Sequence, residues 1–296
     1  AGDSSVLFKS GPPVSAAVWD SVRAGTTPAS TVGTSNLHPD AGSIAWYPDG
    51  QPVLTLGRTT LPKRTALSNS YTFQADQDVF RGWRPEDRSD WWSASSFESQ
   101  VGRYQHVGQL GEWGFELGPP ETLIQSDAGI DLVETQNGVT AMIGHFEDAY
   151  PSEVESPEGW WEVGLQRLTR TILILPEEIV LVADHIEQNT SLTHHAHFTS
   201  TTNNFGVSGP SGTLSTPDGQ LWAVDALSGG SLSTDQLIQR VDQPSGPWVY
   251  RLNVSNAASP GRHNHLYGFR SMTQSVALNS WTSTDEGVET TLTVFS

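Results

Sequence analysis

Three clusters in this sequence bring together residue types that hold ligands or move protons. In "SNLHPDAGS" Asn36, His38 and Asp40 alternate, so on an extended backbone their side chains leave the same face. Such a set can hold a cation or hydrogen-bond a sugar carboxylate, with Asp40 orienting His38. It can equally be a solvated strand edge in which Asp40 makes a turn at Ala41-Gly42. In "GRYQHVG" Tyr104 and His106 share one strand face and form a candidate acid/base pair. The segment "DVFRGWRPEDRSDWWSASS", Asp78 to Ser96, sets Arg81, Arg84 and Arg88 beside Trp83, Trp91 and Trp92. Indole faces stack on sugar rings and guanidinium groups pair with carboxylates or sulfates, so an anionic polysaccharide is the ligand that fits. Glu86, Asp87 and Asp90 lie in the same segment and could neutralise those arginines instead, and both readings stand.

Histidines supply a further set. His195 and His197 in "LTHHAHFTS" share a strand face beside His194, and His263 and His265 in "GRHNHLYG" repeat the spacing. Paired imidazoles ligate zinc when a third ligand arrives from elsewhere. Neither pair has a local partner of that kind, so no metal or cofactor is expected, with zinc and calcium left open. No Gly-rich phosphate loop, GxSxG, HExxH or EF-hand pattern occurs. A glycosidase needs only two well-placed carboxylates, so the 33 acidic residues leave that class open.

The elements that must position these groups read as strands. Across the 296 residues short alternating or β-branched runs recur between Gly, Pro, Asn and Asp clusters, and a helical period rarely survives two turns. "SVLFKS", "SIAWYP", "QPVLTLG", "SYTFQA", "GIDLVETQ", "VTAMIGHF", "LQRLTRTILIL", "EIVLVADHIE", "THHAHFTST", "LWAVDAL", "WVYRLNV" and "QSVALNSWT" are the predicted strands. Turns at Pro48-Asp49-Gly50 and Pro176-Glu177-Glu178 predict two hairpins. The expectation is an all-β chain, a large antiparallel β-sandwich forming one domain over residues 1–296. "GVSGPSGTLSTPDG", Gly206 to Gly219, is the best candidate for a minor boundary.

Composition narrows the partners. A formal net charge of −18 argues against nucleic acid, which needs a broad basic surface. The longest apolar runs are broken by charge or proline before the ~18 residues a helical membrane span needs. There is no cysteine, so no disulfide framework or thiolate chemistry exists. The chain begins at Ala1, as a mature exported or trimmed protein would, and a secreted or periplasmic location is the expectation that accompanies it. The sequons at Asn189 and Asn253 permit glycosylation.

Several segments, in their order along the chain, resemble the C-terminal β-sandwich of the heparinase II/III-like polysaccharide lyases. They are "VLFKSGPP", "NLHPDAGSIAWYPDGQPVL", "LSNSYTFQAD" and "LQRLTRTILILPEEIVLVADHIE", together covering roughly residues 5 to 200. The resemblance implies β-elimination on uronic-acid polysaccharide, in which a base takes the C5 proton, a positive group steadies the carboxylate dianion and an acid protonates the departing oxygen. It also implies an α/α-toroid partner that carries most of those groups; no helical toroid is present in this sequence. Asn36 stands where the family has a histidine, Leu56 where it has an aspartate and Ser68 where it has a second histidine, so the family's metal site is expected to be absent. On that comparison Asn36 and His38 contact the substrate, Asp40 orients His38, and Arg84 with Trp83 forms a subsite. A non-catalytic carbohydrate-binding or structural sandwich is the alternative.

Overall fold

Where large apolar side chains alternate with polar ones the chain forms strands, and where Gly, Pro or Asn interrupts the alternation it turns. A computed structural model describes residues 4–9, 24–26, 40–55, 65, 68–80, 103–109, 128–150, 153–156, 159–200, 202, 206–238, 248–284 and 287–295. Among the described residues a short ladder pairs β1 (Ser5–Phe8) with β2 (Ile44–Tyr47). An eight-stranded sheet runs, in spatial order, β12 (Gly206–Ser208), β13 (Ser211–Ser215), β14 (Leu221–Ala226), β17 (Gly261–Ser271), β10 (Ile179–Gln188), β9 (Leu165–Leu175), β6 (Val139–His145) and β5 (Gly129–Gln136). A seven-stranded sheet runs β15 (Ser231–Ile238), β16 (Trp248–Ala258), β11 (Leu192–Ser200), β3 (Tyr71–Phe80), β7 (Glu153–Ser156) and β8 (Gly159–Glu162), with β4 (Arg103–Val107) also paired to β3. A C-terminal hairpin joins β18 (Ser275–Thr284) to β19 (Gly287–Phe295). The fold is all-β, and the ladders are antiparallel. No helix among the described residues is long and apolar enough to cross a membrane.

The hairpin at Pro176–Glu178 joins β9 to β10 as its turn chemistry predicts, with Leu175 opposite Ile179. The turn at Pro48–Gly50 also forms, and among the described residues 51–55 of "QPVLTLG" a bridge joins Leu54 to Trp46. Sequence reading missed β17 as a strand, because polar residues fall on both of its faces: His263 and His265 on one, Arg262 and Asn264 on the other.

Two apolar surfaces meet between the sheets. Trp46, Trp222, Phe198, Tyr267 and Phe269 are buried there, with Trp46 edge-on to Trp222 at 4.8 Å and Phe198 edge-on to Phe269 at 4.9 Å. A smaller cluster of Ile179, Leu181 and Leu266 lies on the other side of the large sheet, where Leu173, Leu175, Leu227 and Val276 of β18 pack on it. That outer face also carries polar contacts: His145 bridges Asp131 (2.7 Å) and Thr169 (2.8 Å), and His185 bonds Asn264 (2.7 Å).

A charge pair sits inside the sandwich. The β9–β10 register sets Arg170 directly opposite Asp184, and the guanidinium donates to both carboxylate oxygens at 2.7 and 2.9 Å. Its remaining donor reaches the backbone carbonyls of Gly42 (2.6 Å) and Asn69 (2.7 Å), so nearly every polar atom of this buried group is satisfied. Burial works against the Arg170 charge, and Asp184 outweighs it, so the guanidinium holds its proton more firmly than an ordinary arginine. Tyr71 donates to Asp184 at 3.0 Å and shares a 2.7 Å bond with Tyr267; burial, then the neighbouring Asp184 charge, raises both phenols.

Candidate functional site

The corner at Asp40–Ser43 is held from several directions. Gln109 accepts from the Ala41 amide (2.9 Å) and donates to the Ala41 carbonyl (2.7 Å), and Ser70 donates to the same carbonyl (3.0 Å). The turn is closed by the Ser43 amide on the Asp40 carbonyl (3.0 Å), with Gly42 at φ +77, where an added Cβ would lie 3.2 Å from the Phe146 ring. Asp40 is 4% exposed and its carboxylate is ion-paired with Lys9. Asn69 ties this region to the small sheet. Its amide nitrogen donates to the Ile44 and Thr55 carbonyls, and its oxygen accepts from the Thr199 backbone and hydroxyl.

Asn36, His38, Arg81, Trp83, Arg84, Arg88, Trp91 and Trp92 lie outside the described residues. Tyr104 and His106 belong to β4, where the backbone register sets His106 opposite Gln74 and Tyr104 opposite Val79; their side chains lie outside the described ones.

The described polar groups converge on the outer face of the small sheet. Three alternate positions of β11, His195, His197 and Thr199, stand directly opposite Ser255, Asn253 and Arg251 of β16. Each also reaches back toward β3. His195 bonds Ser255 Oγ (2.8 Å) and Gln74 Oε1 (3.1 Å), His197 bonds Asn253 Oδ1 (2.7 Å) and Thr72 Oγ1 (2.8 Å), and Thr199 bonds Asn69. Carbonyl oxygens only accept, so His195 carries a proton on Nε2 and His197 on Nδ1, and both nitrogens of each ring are engaged. Burial, with the Arg251 charge nearby, lowers the His195 pKa and keeps that ring uncharged. These two imidazoles therefore offer no free lone pair to a metal, and among the described residues no group of three His, Cys, Asp or Glu could hold one. The row consists of hydroxyls, amides, imidazoles and one guanidinium; Thr72, His197, Thr199, Asn253 and Arg251 are buried in it, and Gln74, His195 and Ser255 are its half-exposed members.

At one end this row opens into a cleft of about 580 Å³ lined by Gln74, Ala75, Leu192, Thr193, Ala257 and Ser259, among others. The chain crosses between the sheets twice here, from β10 to β11 and from β16 to β17. Asn189, in the first crossing, is exposed, while the second sequon asparagine, Asn253, is buried on His197.

The other histidines meet inside. His194, on the inner face of β11, accepts from His265 Nε2 through its Nδ1 (2.9 Å) and donates from Nε2 to Gln188 Oε1 (2.6 Å). His263 lies beside it, with ring centres 5.3 Å apart. The two His-x-His pairs thus do not face each other; His194, the residue just before the first pair, makes the contact with His265. Gln74, Thr72, Ser255, Arg251 and Gln188 were not singled out from sequence, and only the cross-strand register reveals them.

No protein-family model and no curated protein matches the chain. Among solved structures it is similar to a heparinase III (TM-score 0.52, 8% identity, 90% of this chain and 37% of that one). It is also similar to a heparan sulfate lyase mutant from Pedobacter heparinus (TM-score 0.51, 11% identity, 88% of this chain and 37% of that one). A heparinase III with methylated lysines aligns likewise (TM-score 0.52, 5% identity, 88% and 36%). The chain spans little more than a third of the length of these proteins, and at such identities the likeness is one of fold: a polysaccharide-lyase-like β-sandwich.

Proposed function

We propose that the chain is the β-sandwich component of a polysaccharide lyase acting on uronic-acid-containing polysaccharide by β-elimination, in company with an α/α-toroid domain or chain. The observation that carries this reading is the hydrogen-bonding row on β3, β11 and β16, which runs into the cleft at Gln74 on a heparinase-like fold. In the proposed assembly the half-exposed members of the row, Gln74, His195 and Ser255, contact sugar hydroxyls, with the buried Arg251 adding positive charge nearby. Asn36, His38, Tyr104 and His106 are the proposed catalytic contacts, and Asp40, Arg81, Trp83, Arg84, Arg88, Trp91 and Trp92 the proposed binding ones. An exported, secreted or periplasmic protein is the setting in which such a substrate is met.

One observation favours a second reading, a carbohydrate-binding module without chemistry of its own. Both nitrogens of His195 and of His197 are engaged, so neither ring stands ready as a base. Incubation with glucuronan, alginate or a glycosaminoglycan, followed by ultraviolet absorbance of the unsaturated uronate, separates the two. The lyase reading expects absorbance only when a helical toroid is supplied with the chain. Retention on affinity electrophoresis with no absorbance in either case leaves the module, and no retention on any uronate polymer sinks both.

A further inference from the structure

The wall of the cleft formed by the β16–β17 crossing is tied to buried imidazoles. Gln188 donates to the carbonyls of Ala258 (3.3 Å) and Ser259 (3.1 Å), and His263 Nε2 donates to the Ser259 carbonyl as well (2.7 Å). Those two bonds orient the Gln188 amide, so its oxygen faces His194 and fixes the His194 proton on Nε2. His194 Nδ1 must then accept, and His265 Nε2 must donate. The chain of bonds from His265 through His194 and Gln188 to the crossing is complete only with both rings neutral or sharing a single added proton.

We propose that the His194–His265 pair is a proton-operated latch on the β16–β17 crossing, holding that wall of the cleft at neutral pH and releasing it on acidification. A second proton on His194 Nδ1 would set one N–H against another. Among the described residues, the groups that face the pair do not offset the burial of an added charge. On β17 the facing groups are His263 and Tyr267; on β10, Asp184, already bonded to Arg170 of β9 and to Tyr71 of β3. His195 lies on the far face of β11 and is neutral. On β16 the residue opposite His194 is Asn256, which carries no charge to set against an imidazolium. Burial, then the adjacent rings, pushes His194 down to about 2, and burial pushes His265 down to about 4 despite Asp184. An opened crossing that lets the rings reach water restores their ordinary affinity near pH 6.5, so protons select the open form. Between pH 7 and 5 the opening equilibrium grows about 20-fold if one ring is released and about 500-fold if both are. The effect on polysaccharide binding rests on the function proposed above; the release of the crossing does not.

The chain has no cysteine, so Ser259→Cys carries a nitroxide at a single site on the exposed crossing. Spectra recorded from pH 7.5 to 5 are expected to gain a mobile component below about pH 6.5, reversibly and without loss of the near-ultraviolet circular dichroism. In His194→Gln and, separately, His265→Gln backgrounds the gain is expected to shrink at least several-fold. A spectrum unchanged over this range, or an equal gain in a folded variant of either kind, overturns the latch. The C2 proton resonances of His194 and His265 in the unsubstituted chain provide a check that needs no variant; they must titrate together with the mobile component, and a crossing released while they stay fixed refutes the proposal. No polysaccharide enters this measurement, so its failure leaves the proposed function standing, and a chain that binds no uronate polymer leaves the latch standing.

Discussion

Replacing Arg170 by methionine removes the partner of a carboxylate that is 0% exposed. Breaking a buried pair from one side costs about 3–5 kcal/mol, because Asp184 must stay charged without a counterion or take up a proton. The carbonyls of Gly42 and Asn69 also lose their guanidinium donor, at about 1 kcal/mol each. The sum, about 5–7 kcal/mol, is comparable with the whole stability of an ordinary domain, about 5–15 kcal/mol. Urea unfolding followed by tryptophan fluorescence is the assay, with 11 tryptophans to report. Arg170→Met should therefore be largely unfolded, or should unfold at far lower urea. Arg170→Met combined with Asp184→Leu removes both charges and leaves only the orphaned carbonyls and the Tyr71 hydroxyl, about 2–4 kcal/mol. The double variant should accordingly be more stable than the single one. A loss below about 1 kcal/mol in Arg170→Met, or a double variant no better than the single, would refute the account of the pair as satisfied but irreplaceable from one side.

Asn69→Ala forfeits four hydrogen bonds linking β2 and Thr55 to Thr199, and should cost about 2–4 kcal/mol in the same unfolding assay. Gln74→Ala removes the residue shared by the polar row and the cleft; it should weaken retention on a uronate polymer about fivefold, the equivalent of one hydrogen bond, while the urea midpoint hardly moves. Stability should be level above about pH 7 and decline as the pH falls below about 6.5, because the unfolded chain binds protons at His194 and His265 that the folded chain refuses until far lower pH. Urea midpoints measured from pH 8 to 5 check that sign, and a midpoint rising toward pH 5 would reverse it.

The architecture was legible because it rests on local signals. Alternation named most strands, and the Pro-Glu-Glu turn set the β9–β10 register. That turn carries more information than its prediction used: Arg170 and Asp184 are equidistant from Glu177, so a hairpin centred there must oppose them. The site was less legible. His195 and His197 were placed on one face correctly, yet their partners Ser255, Asn253, Thr72 and Gln74 come from strands distant in sequence, and hydroxyls and amides carry no spacing signature. The neutral partners that engage both nitrogens of His195 and His197 are likewise disclosed by no local pattern. His263 and His265 drew attention as a pair, but His265 bonds across the sandwich to His194, a contact that exists only once both sheets have formed.

Tyr71 and Tyr267 share a hydrogen bond although 196 residues separate them, and this pairing has a consequence for the order of events during synthesis. The inner strands β10 and β11 emerge together, but each waits for its second neighbour, β17 or β16, which arrives at the next crossing between the sheets. At cellular elongation rates the ~50 residues between Ser200 and Trp248 take about 2–10 s to appear. Throughout that interval two long strands present unpaired edges in the nascent chain, an invitation to mispairing or to chaperone capture. Completion should come late and at a stroke, when the β16–β17 unit docks on both edges at once, so a ribosome stalled before Trp248 would display a chain open to proteolysis and one stalled well past Ser271 a resistant one.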